Sequence, residues 1–279
     1  MRMILIADSG STKTDWMLLH EGKRQVFRTS GINPYFLNEE AIMAVMREDA
    51  ALRTVARQVR SLHFYGAGCT EKLHIQQVDK ALRAFFPKSK VEVKTDMLGA
   101  ARAVLGNRKG IAAILGTGSN SCSYDGENLV ESVPSLGYLL GDEGSGMYIG
   151  RLLIKSMLVN EFPIEIRTAF DKHFGLTQAD IITATLSKPM PNRFLASFCK
   201  FFVNYLDDPP VRVLVWQAFR DFMNVHITEY ADYKSLPVGF VGSVAFFFQE
   251  ALREVVSEFD IEDVIIIQSP IEALGEYHS

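Results

Sequence analysis

Twice along this chain a short apolar strand runs into a turn of glycine and hydroxyl residues and emerges as a second strand. The first copy is Met3–Asp8, the turn Ser9-Gly10-Ser11-Thr12-Lys13, and Thr14–His20. The second is Ile111–Leu115, the turn Gly116-Thr117-Gly118-Ser119-Asn120, and Ser121–Tyr124. A third strand follows each, near Gln25–Thr29 and, after the Asp125-Gly126 turn, at Leu129–Val133. Identity between the copies is negligible, so what repeats is the pattern alone: strand, small polar turn, strand, strand, helix. That pattern constrains the chain to two α/β domains, residues 1–107 and 108–279, with a helical insertion in the second. The last helix is free to pack back on the first domain.

Between the copies, Asn38–Arg60 carries helical spacing and Ser61–Tyr65 reads as a strand closed by Gly66-Ala67-Gly68. Glu71–Phe86 is a helix stopped by Pro87, Val91–Thr95 a strand, and Asp96 opens a helix ending near Gly106. Helical stretches run from Ser145 to about Tyr233. Val238–Val241, Ser243–Phe259 and Val264–Gln268 finish the core as strand, helix and strand.

The 279 residues, 48% hydrophobic, are enough to bury sizeable cores. A formal net charge of -4 gives no basic field for nucleic acid or anionic membrane. Arg53, Arg57 and Arg60 read as the wet face of a helix. No apolar run approaches the ~18 residues of a membrane span, and the opening run is too short for a signal peptide. Cys69, Cys122 and Cys199 are odd in number and scattered, which offers neither a disulfide framework nor metal-site spacing and suits a reducing cytoplasm.

Five segments could carry chemistry. In Asp8–Thr14 the backbone N–H groups of Ser9 and Gly10, with the Ser11 and Thr12 hydroxyls and the Lys13 charge, could ring a phosphate, and Asp8 could hold Mg²⁺ through water. It is not a Walker loop, because the glycine–lysine spacing is absent and a strand follows. It equally reads as a polar hairpin. Gly116, Thr117 and Gly118 repeat the logic in the second copy. Asp96, where a strand meets a helix, reads either as an N-cap or as a general base taking a proton from a substrate hydroxyl. Asp142 and Glu143, between glycines at a helix entrance, either bind sugar hydroxyls or cap that helix. Gly239, Gly242 and Ser243 form a strand–turn–helix that could let a flat base lie on the backbone, or a plain turn.

Together and in this order these segments resemble the acetate and sugar kinase, heat-shock cognate and actin superfamily. Within it the chain is similar to the N-acetylglucosamine kinase and BadF/BadG/BcrA/BcrD-type ATPase family, over nearly its whole length from Ile4 to about Leu274. The resemblance implies two actin-like (ribonuclease H-like) α/β domains with a nucleotide and sugar cleft between them, and ATP and Mg²⁺ as cofactors. It places Asp96 as catalytic aspartate, Asn33, Thr117, Gly118, Asn120 and Asp142 against the sugar, and Gly239–Ser243 against adenosine. One departure is that Leu136 stands in the segment before Asp-Glu-Gly, where those kinases carry tryptophan.

The implied activity is transfer of the ATP γ-phosphoryl to an amino sugar, N-acetylglucosamine first and glucosamine or N-acetylmuramic acid next, at O6. Two other readings stand beside it: an ATPase that activates a partner enzyme through a cysteine-held iron–sulfur cluster, and a sugar-responsive regulator without catalysis. The expected partners are a small-molecule sugar and, as an open assembly, a second copy in a homodimer.

Overall fold

The computed structural model describes residues 3–279. The chain forms two compact units. One contains the residues up to Arg108 with Gly126–Asn128 and Ser269–Ser279; the other contains Lys109–Asp125 and Leu129–Gln268.

The first unit runs β1 (Ile4–Ser9), β2 (Lys13–His20), β3 (Lys23–Ser30), α1 (Glu39–Glu48), α2 (Ala50–Val55), β4 (Ser61–Gly66), α3 (Lys72–Phe85), β5 (Lys90–Thr95) and α4 (Asp96–Leu105). Its sheet has the order β3-β2-β1-β4-β5. β1 is antiparallel to β2 and parallel to β4, and β5 extends the parallel side. Strand alternation sends Leu5, Ala7, Leu62 and Phe64 to one face, where they pack with Ile42, Met46, Val78 and Leu82. The helical stretch expected over Asn38–Arg60 is broken at Asp49, whose side chain accepts from the Leu52 N–H and so starts a new helix. That helix stops at Val55. Arg57 and Arg60 are exposed beyond it, so the three arginines do not form one helical face.

The second unit runs β6 (Gly110–Leu115), β7 (Ser119–Tyr124), β8 (Leu129–Glu131), α5 (Gly137–Leu140), α6 (Gly146–Leu158), α7 (Ile164–Phe174), α8 (Gln178–Ser187), α9 (Pro191–Ser197), α10 (Cys199–Phe202) and α11 (Pro209–Phe222). It ends with β9 (Val238–Val241), α12 (Ser243–Phe247), α13 (Gln249–Ser257) and β10 (Val264–Ile267). Its sheet order is β10-β9-β6-β7-β8. Read from the β8 edge, this is the first sheet again, with the same antiparallel and parallel partners. Aromatic side chains dominate its core, among them Phe198, Phe202, Phe219, Phe222 and Phe240. The helix expected over Ser243–Phe259 is interrupted at Phe248, which leaves helical geometry and buries its ring.

After the second unit the chain returns as α14 (Ile271–Tyr277), which packs on α4, β1 and β2 of the first. Gly275 permits that approach, since a Cβ there would fall 2.2 Å from Met17 Sδ. Beyond α14 the His278 ring stacks on His63 at 3.9 Å and its Nε2 lies 2.8 Å from the Tyr65 hydroxyl. No helix among the described residues is long and apolar enough to cross a membrane. The three cysteines are buried, none in a disulfide.

Candidate functional site

In the first unit the β1–β2 turn is held from inside. Ser9 Oγ lies 2.6 Å from Thr14 Oγ1, donates to the Ile32 carbonyl at 2.9 Å and accepts from the Ile32 N–H at 3.0 Å. Ser9 and Thr14 are both buried. The Ser9 hydroxyl thus ties the turn to the segment after β3, and Ser9 stands opposite Thr14 in the strand register. Gly10 N–H donates to the Lys13 carbonyl at 3.0 Å. Gly31 passes beneath so closely that a Cβ would meet Gly10 O at 2.4 Å.

Asn33, also buried, donates from Nδ2 to Ser11 Oγ at 2.6 Å while its Oδ1 accepts from the Tyr35 N–H at 2.9 Å. Thr12 and Lys13 are exposed. Lys13 Nζ sits 2.7 Å from Asp15 Oδ2. Arg28 meets the same carboxylate at 2.5 Å. Burial would push the Asp15 carboxyl up, but these hydrogen bonds outweigh it and hold it below its ordinary value.

Asp8 is the register partner of Asp15 on β1. Burial, then the like charges of Asp96 and Asp15, push its carboxyl up to about 7, against the pull of Lys13. Asp96 is the first residue of α4, and the N-cap is its neighbour Thr95. Asp96 Oδ1 accepts from the Met97 N–H at 2.9 Å and the Thr95 hydroxyl at 3.0 Å. Burial raises its carboxyl in spite of those bonds, and burial with the Asp96 charge pushes the nearby Cys69 thiol up to about 12. The first unit therefore carries an acid-rich strand end beside a hydroxyl-lined turn. Among the described residues no group of three or more metal-ligating side chains occurs. The buried Asp8 carboxyl, flanked by two further acids, has the chemistry to suit a cation that keeps its own water shell.

In the second unit the corresponding turn is held by backbone. Gly116 N–H donates to Gly118 O at 3.0 Å, and the first turn of α6 donates back, Gly146 N–H to Gly116 O at 2.8 Å and Met147 N–H to Thr117 O at 3.1 Å. The N-cap of α6 is Ser145, which removes the cap reading of Asp142 and Glu143. Asp142 takes the left-handed conformation (φ 59°) and accepts from the Ser119 N–H at 3.2 Å. Its carboxylate lies against Gly118, where a Cβ would meet it at 3.0 Å. Burial pushes Asp142 up, the Ser119 N–H opposes, and the Glu143 charge adds to the rise. Asn120 is half-buried, with its Oδ1 taking the Ser121 N–H at 2.8 Å.

Gly242, at φ 130°, crosses the same loop, since a Cβ there would fall 2.2 Å from Leu115 O. Ser243 beside it is exposed. Gly239 is elsewhere. It lies buried in the middle of β9 between Ala112 and Ile265.

Sequence reasoning missed the side chains behind Glu143. His226 is 3% exposed, with Nε2 3.6 Å from Glu143 Oε2 and Nδ1 3.3 Å from Ser121 Oγ. Ser121 Oγ lies 2.7 Å from the Tyr230 hydroxyl. His226 and Ser121 are 105 positions apart, with no local pattern joining them.

Compared with solved structures, the chain is 46% identical to one from Porphyromonas gingivalis provisionally assigned as an N-acetylglucosamine kinase. The match covers 99% of this chain and 98% of that one, at a TM-score of 0.94. The chain belongs to the N-acetylglucosamine kinase family. A provisionally assigned member from Chromobacterium violaceum shares 18% identity over 100% of this chain and 99% of that chain (TM-score 0.75). A ROK-family glucokinase from Streptomyces griseus, solved with glucose and AMPPNP, shares 14% over 97% and 96% (TM-score 0.58). These two show the actin-like fold alone. No family model and no curated protein matches the chain.

Proposed function

We propose that this protein transfers the γ-phosphoryl of ATP to a hydroxyl of an amino sugar, N-acetylglucosamine foremost, with Asp96 as general base. The observation that carries the reading is Asp96 itself: a carboxyl at a parallel strand's end, oriented by Thr95 and Met97 and raised by burial. A raised carboxylate takes a hydroxyl proton more readily than an ordinary one. Family membership supplies the reaction class.

Asn33, Thr117, Gly118, Asn120 and Asp142 would contact the sugar. The turns at Gly10–Thr12 and Gly116–Gly118 would hold the phosphates, and Gly242 with Ser243 the adenosine. Asp8 would hold Mg²⁺ through water; when bound, that ion screens the phosphate charge. Leu136, 61% exposed, leaves glucosamine and N-acetylmuramic acid as further acceptors.

An ADP-release screen over glucosamine, N-acetylglucosamine, N-acetylmannosamine, N-acetylmuramic acid and glucose tests the proposal. The expected result is the highest kcat/KM on N-acetylglucosamine. Equal ADP release with and without every sugar would overturn the kinase reading.

A further inference from the structure

Glu143 is braced from behind by groups for which the phosphoryl-transfer reading has no use. His226 sits in a π-helical turn, Met223–Ile227, that continues α11, and there the Thr228 N–H reaches back five residues to Met223 O at 3.0 Å. Such widened turns sacrifice regular helix geometry and recur at functional positions. The His226 ring stacks on Phe222 at 4.6 Å. Phe222 in turn seats the acidic loop, because a Cβ at Gly144 would fall 2.8 Å from Phe222 Cβ.

One donor order satisfies the polar chain. The Val133 N–H donates to the Tyr230 oxygen at 3.2 Å, Tyr230 O–H donates to Ser121, Ser121 O–H to His226 Nδ1, and His226 Nε2–H faces Glu143. Burial pushes the imidazole pKa below its ordinary value against the pull of Glu143, so near neutral pH the ring is uncharged and carries one N–H. The 3.6 Å separation is beyond a hydrogen bond but close enough for the N–H dipole to orient the carboxylate. The His226 side chain is 4% exposed and that of Glu143 17%, so the buried end is fixed and the acid is the accessible end.

We infer that His226 is a positioning residue for the sugar side of the site: through the Tyr230–Ser121–His226 chain it holds Glu143 beside Asp142 as a second acceptor for sugar hydroxyls. The inference rests on the kinase reading above. Without the brace, two adjacent acids would repel and the loop would present one ordered acceptor instead of two. A brace of this kind acts on sugar binding more than on the phosphoryl step, so its loss raises the sugar KM.

The test is steady-state kinetics on the full chain with N-acetylglucosamine and Mg·ATP, with melting temperatures recorded for each variant. His226→Phe, which keeps the stack on Phe222, is expected to raise the sugar KM about tenfold, the order expected for a weakened bond to a charged group. The ATP KM should shift less than about twofold. His226→Gln, which restores an N–H, should recover much of the loss. Glu143→Gln should raise the sugar KM by a similar factor, and combining it with His226→Phe should add little. An unchanged sugar KM in a folded His226→Phe protein, an equal rise in both KM values, or losses that multiply in the double variant would each overturn the inference. Should His226→Phe fail to fold, Ser121→Ala decides: a sugar-specific KM rise of about threefold supports the relay, and no rise sinks it. Wild-type protein inactive on every sugar would sink the kinase reading and this inference with it, whereas normal wild-type turnover with insensitive variants would sink only the relay.

Discussion

The two five-stranded sheets share strand order and strand sense, yet they brace the turn between their first two strands by different means. In the first unit side-chain hydroxyls knot the turn to the segment after β3, through Ser9, Thr14 and Ile32. In the second, the backbone of α6 and the Gly242 crossing do it. A strand scaffold tolerates either solution because its order depends on ladder pairing and core packing, while the turn needs only its own backbone groups satisfied. Copies that agree in topology can therefore differ at nearly every residue. The division of acids is just as uneven. β5 is followed directly by Asp96, whereas β10, its counterpart, is followed by Gln268-Ser269-Pro270 with no carboxylate.

The sharpest way to break this comparison is to remove the acid found on one side only. Asp96→Asn is expected to lower kcat by about 10²–10⁴, with the melting temperature and ATP KM little changed, as steady-state assay and calorimetry would show. Near-normal kcat would reduce Asp96 to a helix-start residue.

Next is the contrast between the two braces. Gly242→Ala places a Cβ 2.2 Å from Leu115 O at φ 130°, and such a clash with backbone strain costs roughly 2–4 kcal/mol. Gly10→Ala meets nothing nearer than 3.8 Å and should stay within about 1 kcal/mol of wild type. Denaturant titration of both variants would show it. Equal losses would mean the turns are braced alike.

A smaller effect separates stability from function at Asp8. Its folded pKa of about 7 lies above the ordinary 3.8, so the native state holds the proton more tightly than the unfolded chain. The resulting penalty is absent below pH 3.8, grows as pH rises and is complete above about 7. At full value the shift corresponds to about 4 kcal/mol, and partial solvent access reduces this to about 1–2 kcal/mol. Asp8→Asn should therefore raise the melting temperature at pH 8 and not at pH 4, while impairing use of Mg·ATP. A gain of equal size at both pH values would assign the effect to something other than this carboxyl.

Least affected should be Lys13→Met. Because Asp15 already engages Lys13, the ATP KM should rise no more than about threefold, within the range of an exposed ion pair. A rise of a hundredfold would mean that Lys13 leaves Asp15 for the nucleotide.

Much of the architecture was legible in sequence for a local reason: strand runs such as Val238–Val241 are apolar on both faces and bounded by turn residues. The helix breaks at Asp49 and Phe248 were not, because each depends on what the side chain meets: a backbone N–H three residues on, or the core. At the candidate site the same divide holds. Glycine and hydroxyl spacing marks where the turns lie, but whether a hydroxyl faces inward, as Ser9 does, depends on a backbone 23 positions away. The Lys13–Asp15 pair was within reach of strand alternation, since both residues lie on one face of β2. His226 had no such cue.

The return of α14 bears on how the chain emerges during synthesis. Domains generally complete folding in the order they are made. Here the first-made sheet keeps Met17 uncovered on one side until Gly275 and its helix arrive, after every residue of the second unit. The earlier-made of the two units is thus the later to close its core, and a nascent chain halted before Ser269 would carry a finished second unit and an open first one.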